Sequence, residues 1–490
     1  MRDPSNPFIT EPKVYHCGSI KYTSRSLAML FFWLLWGDFC YMLMEAVTPS
    51  IMPLKFQVLG ASNTEIGLIL GTIPAVIYSC LNPIISFKSD RYRSRFGRRI
   101  PFIVFSLPFL VLCLVGLGFG DKIGLWLHTI VGNIASEISP NSMVIWTLGG
   151  MMVVFMFFNT FVTSTFWYLF NDVVPAHLLA RFMSWFRMIS MVSIAIYNFC
   201  IFRFARSHFT EILVGAALLY LFGFGLMCLN IREGKYPPPP DYIDGESGPL
   251  AAVKTYAKEC LSLKHYWFQW MNSFIGAIGG GVTTFSLLFT LAIGLDLKQI
   301  GYINGCNSLC VSVLVLGTGW LADRFHPIRI VMAGSIFGML IAIPATLIWL
   351  FWRPSPAVAF WVALAISLGL TAPLQAMVAM ADPPLLMRLF PRERYGQFCS
   401  TNAIWRSIGG VIGGGLVGGF LDVLGHWVGK ERAYLFIPVW SLCFSLPTLI
   451  CLVKLYKSWK RYGGDASYLP PMIGVDGKEM VPPDKCSIIL

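Results

Sequence analysis

The chain has 490 residues, 56% of them hydrophobic and 13% charged. Soluble globular proteins carry about 25% charged residues, so this chain is too poor in charge to cover its own surface in water. A formal net charge of +12 then points to basic loops beside a bilayer rather than to nucleic acid.

Residues 1–24 are polar, contain prolines and lack the apolar core of a cleavable signal peptide. They are expected to form a cytoplasmic segment. A hydrocarbon layer about 30 Å thick takes about 20 mostly apolar residues. That rule predicts helices near 26–47, 64–87, 101–119, 143–170, 182–204, 211–231, 266–292, 300–322, 328–351, 356–381, 397–420 and 433–456. They form two groups, 25–231 and 265–457, joined by a polar stretch at 232–264. Pro237 to Pro240 within it cannot continue a helix, which makes the stretch a linker. Residues 458–490 are expected to be a cytoplasmic tail.

If the spans alternate, one side collects Lys88, Arg91, Arg93, Arg95, Arg98 and Arg99, then Arg181, Arg324, Arg329, Arg388, Arg392 and Arg394, and finally Lys454 to Arg461. The positive-inside rule places that side, with both termini, in the cytoplasm. Arg203, Arg206, Lys430 and Arg432 run against the pattern. The 13 cysteines sit mostly in apolar runs without any Cys-x-x-Cys, so they read as packing residues. No metal or cofactor is expected. Nor is an enzyme, since no nucleophile–base constellation or nucleotide motif is present.

A charged residue inside a span is costly unless it is paired or hydrated. The first span holds Asp38, with Tyr41 and Glu45 at i+3 and i+7 on the same face. Such a face should point into a polar cavity. Span 4 adds Asn159 and Thr163, and span 5 adds Arg187, which can pair with Asp172. Trp270, Asn272 and Ser273 lie in span 7, Asn304 and Asn307 in span 8, Gln375 in span 10, and Asn402, Trp405 and Arg406 in span 11. Amides both donate and accept, which suits sugar hydroxyls. Each can equally serve as an interhelical bond. The glycines from Gly409 to Gly419 make a surface that permits close helix contact.

The two groups repeat each other. Phe182 and Ser184 follow Pro175 at the distances at which Phe398 and Ser400 follow Pro391, and Asp90-Arg91 has a counterpart in Asp323-Arg324. Asp90-Arg91-Tyr92-Arg93-Ser94-Arg95-Phe96-Gly97-Arg98-Arg99 resembles the loop 2–3 motif of the major facilitator superfamily. Its longer form is similar to that of the sucrose-transporter branch and its glycoside–pentoside–hexuronide:cation symporter relatives. The resemblance implies an all-α membrane protein with the major facilitator fold, about twelve helices in two pseudo-symmetric halves, and a mid-membrane solute site between them. It implies gating by Asp90, Arg91, Gly97, Arg98 and Arg99, by Asp323 and Arg324, and by Asp172 with Arg187. Asp90 would face the positive end of a neighbouring helix, and the arginines would reach Asp172.

Trp36-Gly37-Asp38 is similar to the span-1 acid that contacts sugar hydroxyls in the melibiose-type relatives. The expected solute contacts are Asp38, Tyr41, Glu45, Asn159, Thr163, Trp270, Asn272, Asn304, Gln375 and Asn402. The chain departs from its relatives at the coupling site. Met156 stands where sucrose transporters carry an aspartate, and Tyr78 to Pro83 lacks the span-2 acids of the sodium-coupled relatives. Proton coupling would therefore fall to Asp38 or Glu45. The expected activity is secondary active transport of a sucrose-like sugar or glycoside by alternating access, with protons and the bilayer as partners and a monomer as the unit. Three alternatives stay open. One is a uniporter. Another is a carrier of a nucleoside, drug-like solute or organic acid, an anion being favoured if Arg187 and Arg406 face the cavity. The third is a non-transporting, receptor-like membrane protein.

Overall fold

A computed structural model describes residues 15–17, 19–131, 139–234, 236, 260–352, 354–391, 395–473 and 479–480. Within it, eleven helices are long and apolar enough to cross a membrane. They are α1 (Ser24–Val58), α2 (Asn63–Ser86), α3 (Ile100–Gly118), α4 (Pro140–Phe170), α5 (Trp185–Phe204) and α6 (Phe209–Asn230), followed by α7 (Lys264–Ala292), α9 (Pro327–Trp352), α10 (Pro356–Leu389), α11 (Gln397–Val428) and α12 (Lys430–Arg461). Between α7 and α9 lies α8 (Leu297–Arg324), of 28 residues. At 1.5 Å per residue it is about 40 Å long, enough to span.

Helix positions match the hydropathy reading, but several ends do not. Helix α1 continues to Val58, although its span was expected to end near 47 and Pro49 and Pro53 lie inside it. Its last turns are buried on neighbouring helices through Val47, Thr48, Ile51, Met52 and Leu54. Where neighbours enclose a membrane helix, a proline interrupts one hydrogen bond without ending the helix. Helix α10 likewise runs past 381 to Leu389, and α11 runs past 420 to Val428. Two elements were unforeseen: a short helix at Gly120–Val131 and a hairpin pairing Tyr15–Cys17 (β1) with Ile20–Tyr22 (β2). The hairpin leads into α1 through a capping box, in which Thr23 and Ser26 satisfy each other's backbone N–H.

The packing repeats with a step of six helices. Helix α1 packs on α5 and α6, α3 on α4 and α6, and α2 on α4. In the same way α7 packs on α11 and α12, α9 on α10 and α12, and α8 on α10. The groups are joined chiefly by α2 with α11 and by α5 with α8, and α1 also touches α7. This is the pseudo-symmetric architecture expected from the repeated Pro, Phe and Ser positions.

The α2–α11 seam depends on glycine. A Cβ on Gly414 would stand 2.7 Å from the Thr72 backbone nitrogen and 2.8 Å from the Gly67 carbonyl oxygen. Only a residue without a side chain permits that approach. Facing it, α2 widens into a π-helical turn at Leu68–Thr72. Thr72 Oγ1 donates across the seam to the Val411 carbonyl at 2.7 Å. At the end of the seam, Asp422 accepts from the backbone N–H groups of Asn63 at 2.9 Å and Thr64 at 2.8 Å, and from Thr64 Oγ1 at 2.6 Å. Tyr434 donates to Asn63 Oδ1 at 2.7 Å.

Candidate solute site

The face of α1 does carry a polar cluster. Asp38 is fully buried and accepts from Ser190 Oγ of α5 at 2.8 Å. Arg187, one turn before Ser190, acts on it electrostatically. Tyr41 shares a hydrogen bond with Thr163 at 2.9 Å, and Glu45 accepts from Asn159 Nδ2 at 2.5 Å. These pairs form because α1 presents i, i+3 and i+7 while α4 presents i and i+4 to it. Phe166 and Phe224 close around Tyr41, with ring centroids 5.7 Å and 6.0 Å away. Asp38 Oδ1 and Asn159 Oδ1 are enclosed without a protein partner. Asn82 accepts from Ser164 at 2.7 Å.

The later helices hold a second polar set. Asn402 Oδ1 accepts from Ser273 at 2.7 Å and from Gln269 at 3.4 Å. Asn307 donates to Gln375 Oε1 at 3.1 Å and accepts from Ser367 at 3.2 Å. Gln375 stands sixteen residues before Pro391, as Asn159 stands sixteen before Pro175. Each is an amide bonded to a neighbouring helix of its own half. Asn304 is exposed and lines a cavity of about 240 Å³ with Thr290, Trp349 and Thr371. Asn272 keeps an enclosed Oδ1 without a partner.

Trp270 departs from expectation. It is fully buried among Tyr266, Phe390 and Phe398, and its indole N–H donates to the Cys260 carbonyl at 3.3 Å. It is enclosed as a packing residue. Arg406 is exposed on α11 and acts electrostatically on Asp382 of α10 and Tyr78 of α2. Asp382 was overlooked in the sequence because the predicted span stopped one residue short of it. Ser190 and Gln269 carried no local signal, since only the helix packing brings them to Asp38 and Asn402.

At the basic end, Arg98 forms a bidentate ion pair with Asp172, and Arg99 Nε reaches the same carboxylate at 3.1 Å. Arg187 is therefore Asp38's neighbour, whereas the loop arginines hold Asp172. Arg99 also donates to Ser89. Glu233, just past α6, accepts from the backbone N–H groups of Arg98 at 2.9 Å, Arg99 at 2.9 Å and Ile100 at 2.7 Å. A carboxylate on the positive end of α3 is favourable, and Glu233 occupies that end. The side chains of Asp90, Arg91, Asp323 and Arg324 lie outside the described residues. Gly97 has φ 108°, and a Cβ there would meet the Glu233 side chain. Tyr236 donates to Glu233 at 2.9 Å and lies under Arg98, 4.3 Å from its ring centroid. Burial and the Glu233 carboxylate hold the Tyr236 phenol above its usual range.

Among the described residues, no three His, Cys, Asp or Glu side chains are grouped to hold a metal. Curated proteins yield no sequence match. Solved structures share the fold at low identity. A bacterial homologue of the human lysosomal transporter Spinster, inward-facing and occupied, has TM-score 0.60 at 12% identity, covering 90% of this chain and 99% of its own. A bacterial homologue of the iron transporter ferroportin, inward-facing, has TM-score 0.61 at 14% identity over 88% and 99%. A POT family transporter bound to a thioalcohol-conjugated peptide has TM-score 0.62 at 13% identity over 88% and 96%. At these identities the likenesses show the fold alone. The Major Facilitator Superfamily profile matches residues 34–414. With the six-helix repeat and the α2–α11 and α5–α8 seams, that match makes the chain a member of the Major Facilitator Superfamily.

Proposed function

We propose that this protein carries a sugar or glycoside across the membrane by alternating access, driven by protons that load on Asp38 or, second to it, Glu45. Residues 25–231 and 265–457 would be the two moving halves. The linker 232–264, the tail 458–490 and both termini would lie in the cytoplasm with the basic loops. The observation that carries the reading is the polar face of α1. Two carboxylates and a phenol are held inside the first half by Ser190, Asn159 and Thr163. Either carboxylate is a group that a proton can load. Protonation would remove its charge and change which neighbours it accepts from.

The resemblance of the 90–103 loop supports a sugar as the solute, and the amides of both halves offer hydroxyl partners. Uptake of radiolabelled sucrose into proteoliposomes, with and without an inward proton gradient, tests the reading. Accumulation only with the gradient, lost in Asp38→Asn while exchange persists, is the expected outcome. Equal, non-accumulating uptake under both conditions would make the protein a uniporter.

A further inference from the structure

We propose that the groove between α3 and α6, at the basic end of the first half, is a binding site for an anionic phospholipid whose phosphate is held by Arg95 and Arg232. The proposal goes beyond the transport reading and does not depend on which solute is carried.

Helices α3 and α6 pack on each other. Near the start of α3 and the end of α6, a cavity of about 960 Å³ opens between them. Ile100, Val104 and Leu107 of α3 line it, with Gly225 and Cys228 of α6. Gly225 supplies room, since a Cβ there would meet nothing within 4 Å. Leu107 lies seven residues beyond Ile100, so the groove runs about 10 Å along the bundle. Its outer side is open. Phe105 and Leu229 belong to its lining and are exposed. The halves are joined chiefly through α1, α2 and α5 on the first side, which leaves α3 and α6 on the outside of the bundle. In a bilayer that outer side meets hydrocarbon.

The mouth of the groove is charged. Arg95, in the loop before α3, and Arg232, just past α6, both line the cavity and are both exposed. Arg95 lies over the ring of exposed Phe96, 5.3 Å from its centroid. Among the described residues neither arginine forms an ion pair. Glu233 also lines the cavity, but its oxygens are taken by the N–H groups of Arg98, Arg99 and Ile100 and by the Tyr236 hydroxyl. It is spent on the α3 terminus and leaves the two guanidiniums for another anion.

Guanidinium groups suit phosphate oxygens, and basic pockets between membrane helices suit anionic headgroups. A free phosphate would occupy the mouth and leave the apolar groove empty. A zwitterionic lipid would bring its own cation to two arginines. An anionic phospholipid uses both parts, with its phosphate at the mouth and an acyl chain along Val104, Leu107 and Cys228. Its phosphate would join the loop at Arg95 to the end of α6, the two segments that Glu233 already ties together, and would add to the brace on the first half.

The test uses the full chain in detergent micelles containing phosphatidylglycerol or phosphatidylcholine with the same acyl chains. Native mass spectrometry should show a phosphatidylglycerol retained about tenfold or more tightly than phosphatidylcholine, the range of one charge-assisted contact. Arg95→Gln combined with Arg232→Gln should erase that preference. Gly225→Leu, which fills the groove without touching a charge, should weaken retention of phosphatidylglycerol. Arg203→Gln combined with Arg206→Gln, at the other end of the bundle, should leave the preference intact. In the wild type, a phosphatidylglycerol with a diazirine in its acyl chain should crosslink to α3 and α6 near Val104, Phe105 and Leu229, a readout that needs no variant to fold. Inorganic phosphate should not displace it. Equal retention of the two lipids, a preference that survives loss of Arg95 and Arg232 or follows Arg203 and Arg206, retention unchanged in Gly225→Leu, crosslinks gathered elsewhere, or displacement by inorganic phosphate would each overturn the proposal.

Discussion

The two ends of the helix bundle are held by different physics. At the end where α1 turns into α2, the halves meet directly. Gly414 lies against Gly67 and Thr72, and Asp422 and Tyr434 close the seam on Asn63 and Thr64. Among the described residues, the hydrogen bonds that cross between the halves gather along this seam. At the basic end, the ion pairs of Arg98 and Arg99 with Asp172, and the Glu233 cap on α3, stay within the first half and the start of the linker. One end is closed by shape across the halves, and the other is braced by charge within a half. With the basic loops in the cytoplasm, as proposed, the shape-closed end is the extracellular one. The comparison teaches how such a bundle can switch. A seam made of backbone contact and a few hydrogen bonds, each worth about 1 kcal/mol net or about 1.5–3 kcal/mol where the Asp422 carboxylate accepts, can separate without breaking an ion pair.

The comparison breaks most sharply at Gly414. Gly414→Leu should force the seam apart at a cost of about 1–3 kcal/mol and reduce uptake by about tenfold or more. Gly215→Leu, where a Cβ meets nothing within 4 Å, should leave uptake near wild type. Equal uptake by both variants would show that the seam is not a working contact.

Gly97→Val probes the braced end. It combines a left-handed backbone position with a collision against Glu233, and a side chain there should cost about 1–3 kcal/mol. The thermal midpoint in detergent should fall. An unchanged midpoint would mean that Glu233 is not held against the loop.

Removing the seam's carboxylate should be milder. Asp422→Ala frees the Asn63 and Thr64 amides, and their hydrogen exchange should quicken about fivefold, matching the loss of about 1 kcal/mol. No change would place the closure in the glycine contacts alone.

The smallest effect concerns pH. His326, between α8 and α9, is pushed down to about 4 by burial and by the nearby Arg388 and Arg329 charges, which outweigh Asp465. The unfolded chain therefore binds a proton that the folded one refuses between pH 6.5 and about 4. Stability from this group is full above pH 6.5 and is lost as pH falls through that window. His326→Gln should flatten the decline in thermal midpoint between pH 7 and pH 5, while an identical decline would assign it to other groups.

The sequence by itself determined the membrane helices, because a bilayer admits only long apolar segments and most charges of this chain fall between them. It also determined the face of α1. Asp38, Tyr41 and Glu45 share a side at helical spacing, and Asn159 and Thr163 do the same on α4, so each polar face followed from local geometry, though not that the two faces meet. Helix ends were less legible. Pro49 and Pro53 stop a helix in water, but enclosed by neighbours they do not, and packing carried α1 to Val58.

The partners chosen across the fold belong to tertiary structure alone. The sequence offered Asp172 as the partner of Arg187, and only the placement of α5 beside α1 set Arg187 near Asp38 and left Asp172 to Arg98 and Arg99. Glu233 stands far along the chain from the α3 terminus it caps, and Asp422 farther still from Thr64. Hydropathy and periodicity describe one helix at a time. Which carboxylate meets which donor depends on how the helices are laid side by side, and that was decided by the packing of glycines, aromatics and buried polar groups between them.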